Sequence, residues 1–84
     1  MEGASQNNFK DEILEVVGEI PLSNTQMLRV LKVKDEHGTV SISAQKWWRH
    51  NDKEDWAVGK GFNLEPTHAV NLGVMLTKGG LELR

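Results

Sequence analysis

The chain has 84 residues, a net charge of −2, 38% hydrophobic residues and no cysteine. That length suits one small domain, and the lack of cysteine excludes disulfides, thiolate metal sites and thiol nucleophiles. Apolar runs such as Val74-Met75-Leu76 are far shorter than a membrane span. No apolar stretch follows the N-terminus as a secretory signal would require, so an intracellular soluble protein is expected.

Charge is unevenly spread. Residues 1–25 carry Lys10 against Glu2, Asp11, Glu12, Glu15 and Glu19, whereas residues 26–64 carry seven bases against five acids. A ligand responds to the local field rather than to the total, so the middle of the chain is the mildly basic part.

Residues 1–8, "MEGASQNN", are small and polar and are expected to form a disordered arm, leaving 9–84 as a single domain. "ILEVVGEIPLS" mixes β-branched residues and acids in rough alternation before Pro21 and "SNT", which predicts a strand from about Phe9 to Ile20. "QMLRVLKVK" predicts a second strand, closed by "DEHG". Asp35 and Gly38 suit a tight turn, so residues 26–34 and 39–49 should form a hairpin.

The strand after that turn alternates cleanly. Val40, Ile42 and Ala44 share one face, and Thr39, Ser41, Ser43, Gln45 and Trp47 share the other. The pattern predicts a sheet whose Val40–Ala44 face is covered and whose hydroxyl- and amide-rich face meets solvent. "HNDKED" is a polar loop. "WAVGKGFNL" predicts a fourth strand, with Gly59 and Gly61 marking a bulge or a close backbone approach. "EPTHAVNLGVMLTKGG" predicts a helix with Pro66 in its first position and a stop at Gly79-Gly80. Its apolar arc, containing Ala69, Val70, Leu72, Gly73, Val74 and Leu76, covers about half the circumference, wider than one sheet face requires. Either the sheet curls around the helix or a second subunit covers the excess. The final "LELR" is left as a short strand or a frayed end. Four antiparallel strands followed by one helix make an α+β domain.

No catalytic, metal or cofactor chemistry stands out. His37, His50 and His68 lack metal-ligand spacing. Ser41 and Ser43 have no nucleophile-elbow motif around them, and "GKG" lacks the remaining residues of a phosphate loop. What remains is a half-covered sheet carrying bases and rings, the combination that single-stranded nucleic acid uses for backbone and base contacts. The candidate cations are Arg29, Lys32, Lys34, Lys46, Arg49, Lys53 and Lys60. The candidate rings are Trp47, Trp48, Trp56 and Phe62, with Phe62 expected in the core. Adjacent strand residues point to opposite faces, so only one tryptophan of "QKWWRHN" should line the binding surface. The alternation favours Trp47.

"VKDEHGTVSISAQKWW", then a loop, then "GKGFNLEP" leading into a helix, resembles the positive cofactor four family of transcriptional coactivators over about residues 26–76. The resemblance implies a curved four-stranded antiparallel sheet followed by a C-terminal helix. It further implies dimerisation through the helices and single-stranded DNA bound along the sheets. Arg29, Lys34 and Lys60 would then be backbone contacts, and Trp48 the family's strand-end tryptophan. Three positions depart from the family: Glu36 stands where the family has a turn aromatic, and Thr39 and Gln45 stand where it has bases. Such a site would rely more on hydroxyl and amide contacts. The chain also lacks the long serine- and lysine-rich arm of eukaryotic members. That favours a bacterial or phage origin, in the bacterial cytoplasm or nucleoid or in the host cytoplasm.

The expected function is therefore non-catalytic: a homodimer that binds single-stranded DNA with little sequence preference in transcription regulation, replication or recombination. Ala69, Val70, Gly73, Val74 and Leu76 would form the dimer interface, and transcription or replication proteins are further partners. The alternative is an adaptor whose sheet binds a peptide or a polymerase surface.

Overall fold

The computed structural model describes residues 10–84, so the expected arm and Phe9 lie outside the described residues. Strands β1 (Glu12–Ser23), β2 (Gln26–Lys34), β3 (Val40–Trp48) and β4 (Ala57–Leu64) are followed by helix α1 (Pro66–Leu83). The strands form one antiparallel sheet in the order β1-β2-β3-β4. The α+β class read from the sequence is the observed one.

The β2–β3 hairpin is closed by Asp35. Its Oδ1 accepts hydrogen bonds from the backbone amides of His37 (2.8 Å) and Thr39 (2.9 Å). Gly38 takes φ 85°, a backbone conformation that suits glycine. Those amide donors, with Thr39 the strongest, hold the Asp35 carboxyl below its usual range.

Pro21 does not end β1, which runs on to Ser23. Because β1 is an edge strand, a residue without an N–H need not break a ladder on its outer side. Nor do Gly79 and Gly80 end α1. The helix continues through them to Leu83, and the Arg84 amide bonds back to the Gly80 carbonyl at 3.0 Å. "LELR" thus supplies the last helical turn and its cap.

The covered face of the sheet is the opposite of the one the alternation predicts. Met27, Leu31, Val33 and Trp47 form the buried core, with Trp56 and Val58 packed against it, and Ser43 and Gln45 are buried beside them. The face read as solvent-facing on β3 is the inner one, while Val40 and Phe62, the latter expected in the core, are exposed. Among the described residues, no second layer accounts for this. The helix touches only β3 and β4 and has no buried residue. Instead, register irregularities at three places between β1 and β2, and one between β3 and β4, bend the sheet. The face that carries Met27, Leu31, Val33 and Trp47 is the buried side of this irregular sheet.

The turn makes a pH-dependent prediction. A carboxyl whose folded pKa is lowered stabilises the fold fully above the ordinary carboxylate range and loses that contribution as pH falls through the folded value. Asp35→Asn should therefore melt below wild type at pH 7, and thermal melts toward pH 3 should show the gap closing. A gap that stays constant with pH would mean that ionised Asp35 does not brace the turn.

Candidate nucleic-acid interface

Strand geometry sends neighbouring side chains to opposite faces, and the two tryptophans at the end of β3 obey it. Trp47 is 1% exposed and Trp48 is 41% exposed. Trp47 Nε1 donates to Gln45 Oε1 at 2.9 Å, and Gln45 Nε2 donates to Ser43 Oγ. This same-face ladder explains how hydroxyl and amide groups tolerate burial, since buried polar groups need partners. Gln45 and Trp47, both candidate ligand residues by sequence, are thus internal in the folded chain.

The seven bases of the middle segment divide into two sets. Arg29 bonds Glu19 on the neighbouring strand (Nη2 to Oε2, 2.6 Å), and its guanidinium lies 4.6 Å from the Trp47 ring centroid. Lys32 pairs with Glu15 on the same neighbour (2.9 Å). Arg49 donates from Nε to the Asn24 carbonyl (2.8 Å) and from its backbone amide to the Thr25 carbonyl (3.0 Å). It also stacks over Trp56 at 4.1 Å, tying the β1–β2 turn to the end of β3. Arg29 and Arg49 thus brace the fold, while Lys32 is engaged in an exposed ion pair. Lys34, Lys46, Lys53 and Lys60 have no ion-pair partner among the described residues.

Two of those lysines gather beside Trp48. Between the pairs Gln45↔Gly61 and Trp47↔Val58, Lys46 on β3 faces two residues of β4, Gly59 and Lys60. This bulge needs its glycines. A Cβ on Gly59 would lie 2.8 Å from the Lys46 carbonyl oxygen and 3.3 Å from Trp48 Cδ1, and one on Gly61 would lie 2.6 Å from Gln45 Cγ. The Trp48 ring is met edge-on by His50, with centroids 5.0 Å apart at 82°. Lys46 and Lys60 also rim a groove floored by Leu28, Val30, Ala44 and Phe62, with Leu76 of the helix opposite.

The exposed ring of Trp48, the imidazole of His50 and the unpaired Lys46 and Lys60 therefore share one end of the sheet. His50 carried no signal in the sequence beyond its place two residues after Trp48. Lys53 is exposed in the following loop, while Lys34 and Thr39 lie at the opposite end of the hairpin, where Thr39 closes the turn. No group of three His, Asp or Glu side chains able to hold a metal occurs among the described residues. No described helix is long and apolar enough to cross a membrane. Comparison with family models, curated proteins and solved structures finds no match.

Trp47 carries the stability prediction. Trp47→Ala should cost about 3–5 kcal/mol by emptying the inner face. Trp47→Phe should cost less, about 1–3 kcal/mol, through the unpaired Gln45 carbonyl. Denaturant unfolding of both variants checks this, and a near-wild-type midpoint for Trp47→Ala would contradict the assignment of the core.

Proposed function

We propose that the chain is a homodimeric, non-catalytic protein that binds single-stranded DNA with little sequence preference, a relative of the positive cofactor four coactivators. It would act in transcription, replication or recombination, in a bacterial cytoplasm or in the cytoplasm of a phage-infected host. One observation carries the reading. Trp48 offers an open ring at the end of β3, and Lys46 and Lys60, with no ion-pair partner among the described residues, meet across the adjoining β3–β4 bulge and line one groove. A flat ring supplies stacking that any base accepts, and the lysines supply charge for the phosphates. The lysines also make affinity salt-dependent through counterion release.

Trp48→Ala should leave the melt nearly unchanged and weaken oligo-dT binding by about 1–3 kcal/mol. Lys60→Ala should weaken binding to all single strands alike and shallow the salt dependence by about 0.7 units. Tryptophan quenching by oligo-dT reads both. If both variants bind as wild type does, Trp48 and Lys60 lie outside the path and this mechanism is wrong.

Apolar surface supports the dimer. Val70, Val74 and Leu81 are exposed along the helix, where they line a shallow groove with Gly73 and Thr77. Exposed apolar patches rimmed by polar groups are typical of protein interfaces. Of the five interface residues read from the sequence, Val70, Gly73, Val74 and Leu76 are open, while Ala69 is half-buried. Val74→Glu should yield monomers or aggregates, and sedimentation of a folded wild-type monomer at tens of micromolar would refute the dimer. A second apolar groove, between Phe62 and Leu76, favours the adaptor as second reading, in which that groove takes a peptide and oligo-dT leaves the fluorescence unchanged.

A further inference from the structure

The acidic first strand lies directly against the basic second one, and its bulges decide which charges meet. Glu12 faces Lys34, Glu15 faces Lys32 and Glu19 faces Arg29. Lys32 and Arg29 are three positions apart, but Glu15 and Glu19 are four. The irregularity between Val16 and Gly18 absorbs the difference. Were the ladder regular from Val16 onward, Glu19 would face Leu28.

The two resulting ion pairs differ in kind. Arg29 is 19% exposed, stacked on Trp47 and bonded to Glu19, so it is fixed in the structure. The Glu15–Lys32 pair is open, with side chains 58% and 45% exposed, and an exposed pair of this sort contributes little to stability. By pleat, Lys32 lies on the outer face of the sheet, the face that also carries Lys34, Lys46 and Trp48. Lys34, two residues away on that face, has no ion-pair partner among the described residues. β1 itself touches no element but β2, and every one of its residues is exposed.

We infer that Lys32 is a latent phosphate contact, and that Glu15 is a built-in competitor holding it out of the path of the single strand. This rests on the nucleic-acid reading above. The carboxylate offers Lys32 the same kind of oxygen acceptor as a backbone phosphate. Wild-type binding then uses Lys34, Lys46, Lys53 and Lys60, and loss of the Glu15 charge adds Lys32 to them.

The test is an oligo-dT titration across a salt series for wild type, Glu15→Gln, Lys32→Gln and the double variant. Glu82→Gln serves as a control for charge removal elsewhere, and thermal melts accompany each. Glu15→Gln should bind about fivefold more tightly at 0.1 M salt, with the slope steeper by about 0.7 units, the effect of one further phosphate contact. Lys32→Gln alone should leave the slope unchanged, and in the double variant it should cancel the gain. A Glu15→Gln slope equal to that of Glu82→Gln, with wild type still binding, overturns the inference and leaves the Trp48 site standing. A slope lowered by Lys32→Gln alone also overturns it, because Lys32 would then already touch phosphate. Failure of wild type and all variants to bind would remove the nucleic-acid reading, and this inference with it.

Discussion

The bend of the sheet is the constraint on which the rest of this structure depends. The helix touches only β3 and β4 and buries none of its own residues, so the described core lies within the sheet, on the face around Trp47. Once Trp47 points inward, Trp48 must point outward, because consecutive strand residues cannot share a face. The glycines of β4 belong to the same solution. Gly59 and Gly61 pass so close to the backbone and side chains of β3 that a Cβ at either would collide, and the bulge they permit sets Lys60 beside Lys46. The buried and exposed rings thus follow from strand alternation, and the juxtaposition of Lys46 and Lys60 from the β4 bulge.

Electrostatics in this molecule depend on register more than on composition. The net charge of −2 conceals a sheet in which acids of the first strand neutralise bases of the second. Arg29 serves as packing as much as charge, its planar group lying on Trp47 while Glu19 holds the other side. Arg49 works similarly at the other end, joining Trp56 to the β1–β2 turn. The lysines lack such planar stacking, and Lys46, Lys53 and Lys60 are exposed, in keeping with the different chemistry of the two side chains. The field offered to a ligand is therefore lysine-based, diffuse and weaker than a count of bases implies.

Apolar surface is the second asset this fold leaves unspent. Ile20, Leu28 and Phe62 on the outer sheet face, and Val70, Val74, Met75 and Leu81 on the helix, are all exposed. Burial is worth roughly 25 cal/mol per Å² of apolar area, so covering these residues is the largest stabilisation still open to an 84-residue chain. Small domains commonly gain such stabilisation by association. The proposed dimer and the proposed strand-binding path make different demands. One needs the apolar helix, and the other needs the charged end of the sheet at Trp48.

Much of the architecture was legible in the amino-acid order because it rests on short-range rules. Asp35 and Gly38 announced the hairpin turn, Gly59 and Gly61 the bulge, Pro66 the helix start, and Val40 to Trp47 a two-faced strand, each through local backbone or period-two chemistry. Alternation names two faces but carries no sign. Whether Ser43, Gln45 and Trp47 or Val40, Ile42 and Ala44 lie inside was decided by the tertiary shape of the sheet, whose bulges fall in the two edge strands, β1 and β4. The hydrogen-bonded ladder from Trp47 to Ser43 then made a polar stripe fit for burial. Pro21 and the Gly79-Gly80 pair, strong breakers locally, were absorbed by an edge position and by a continuing helix. Which bases remain free was likewise tertiary. A one-residue irregularity near Val17 sets Glu19 against Arg29, and local sequence holds no record of which residue across the sheet a side chain will meet.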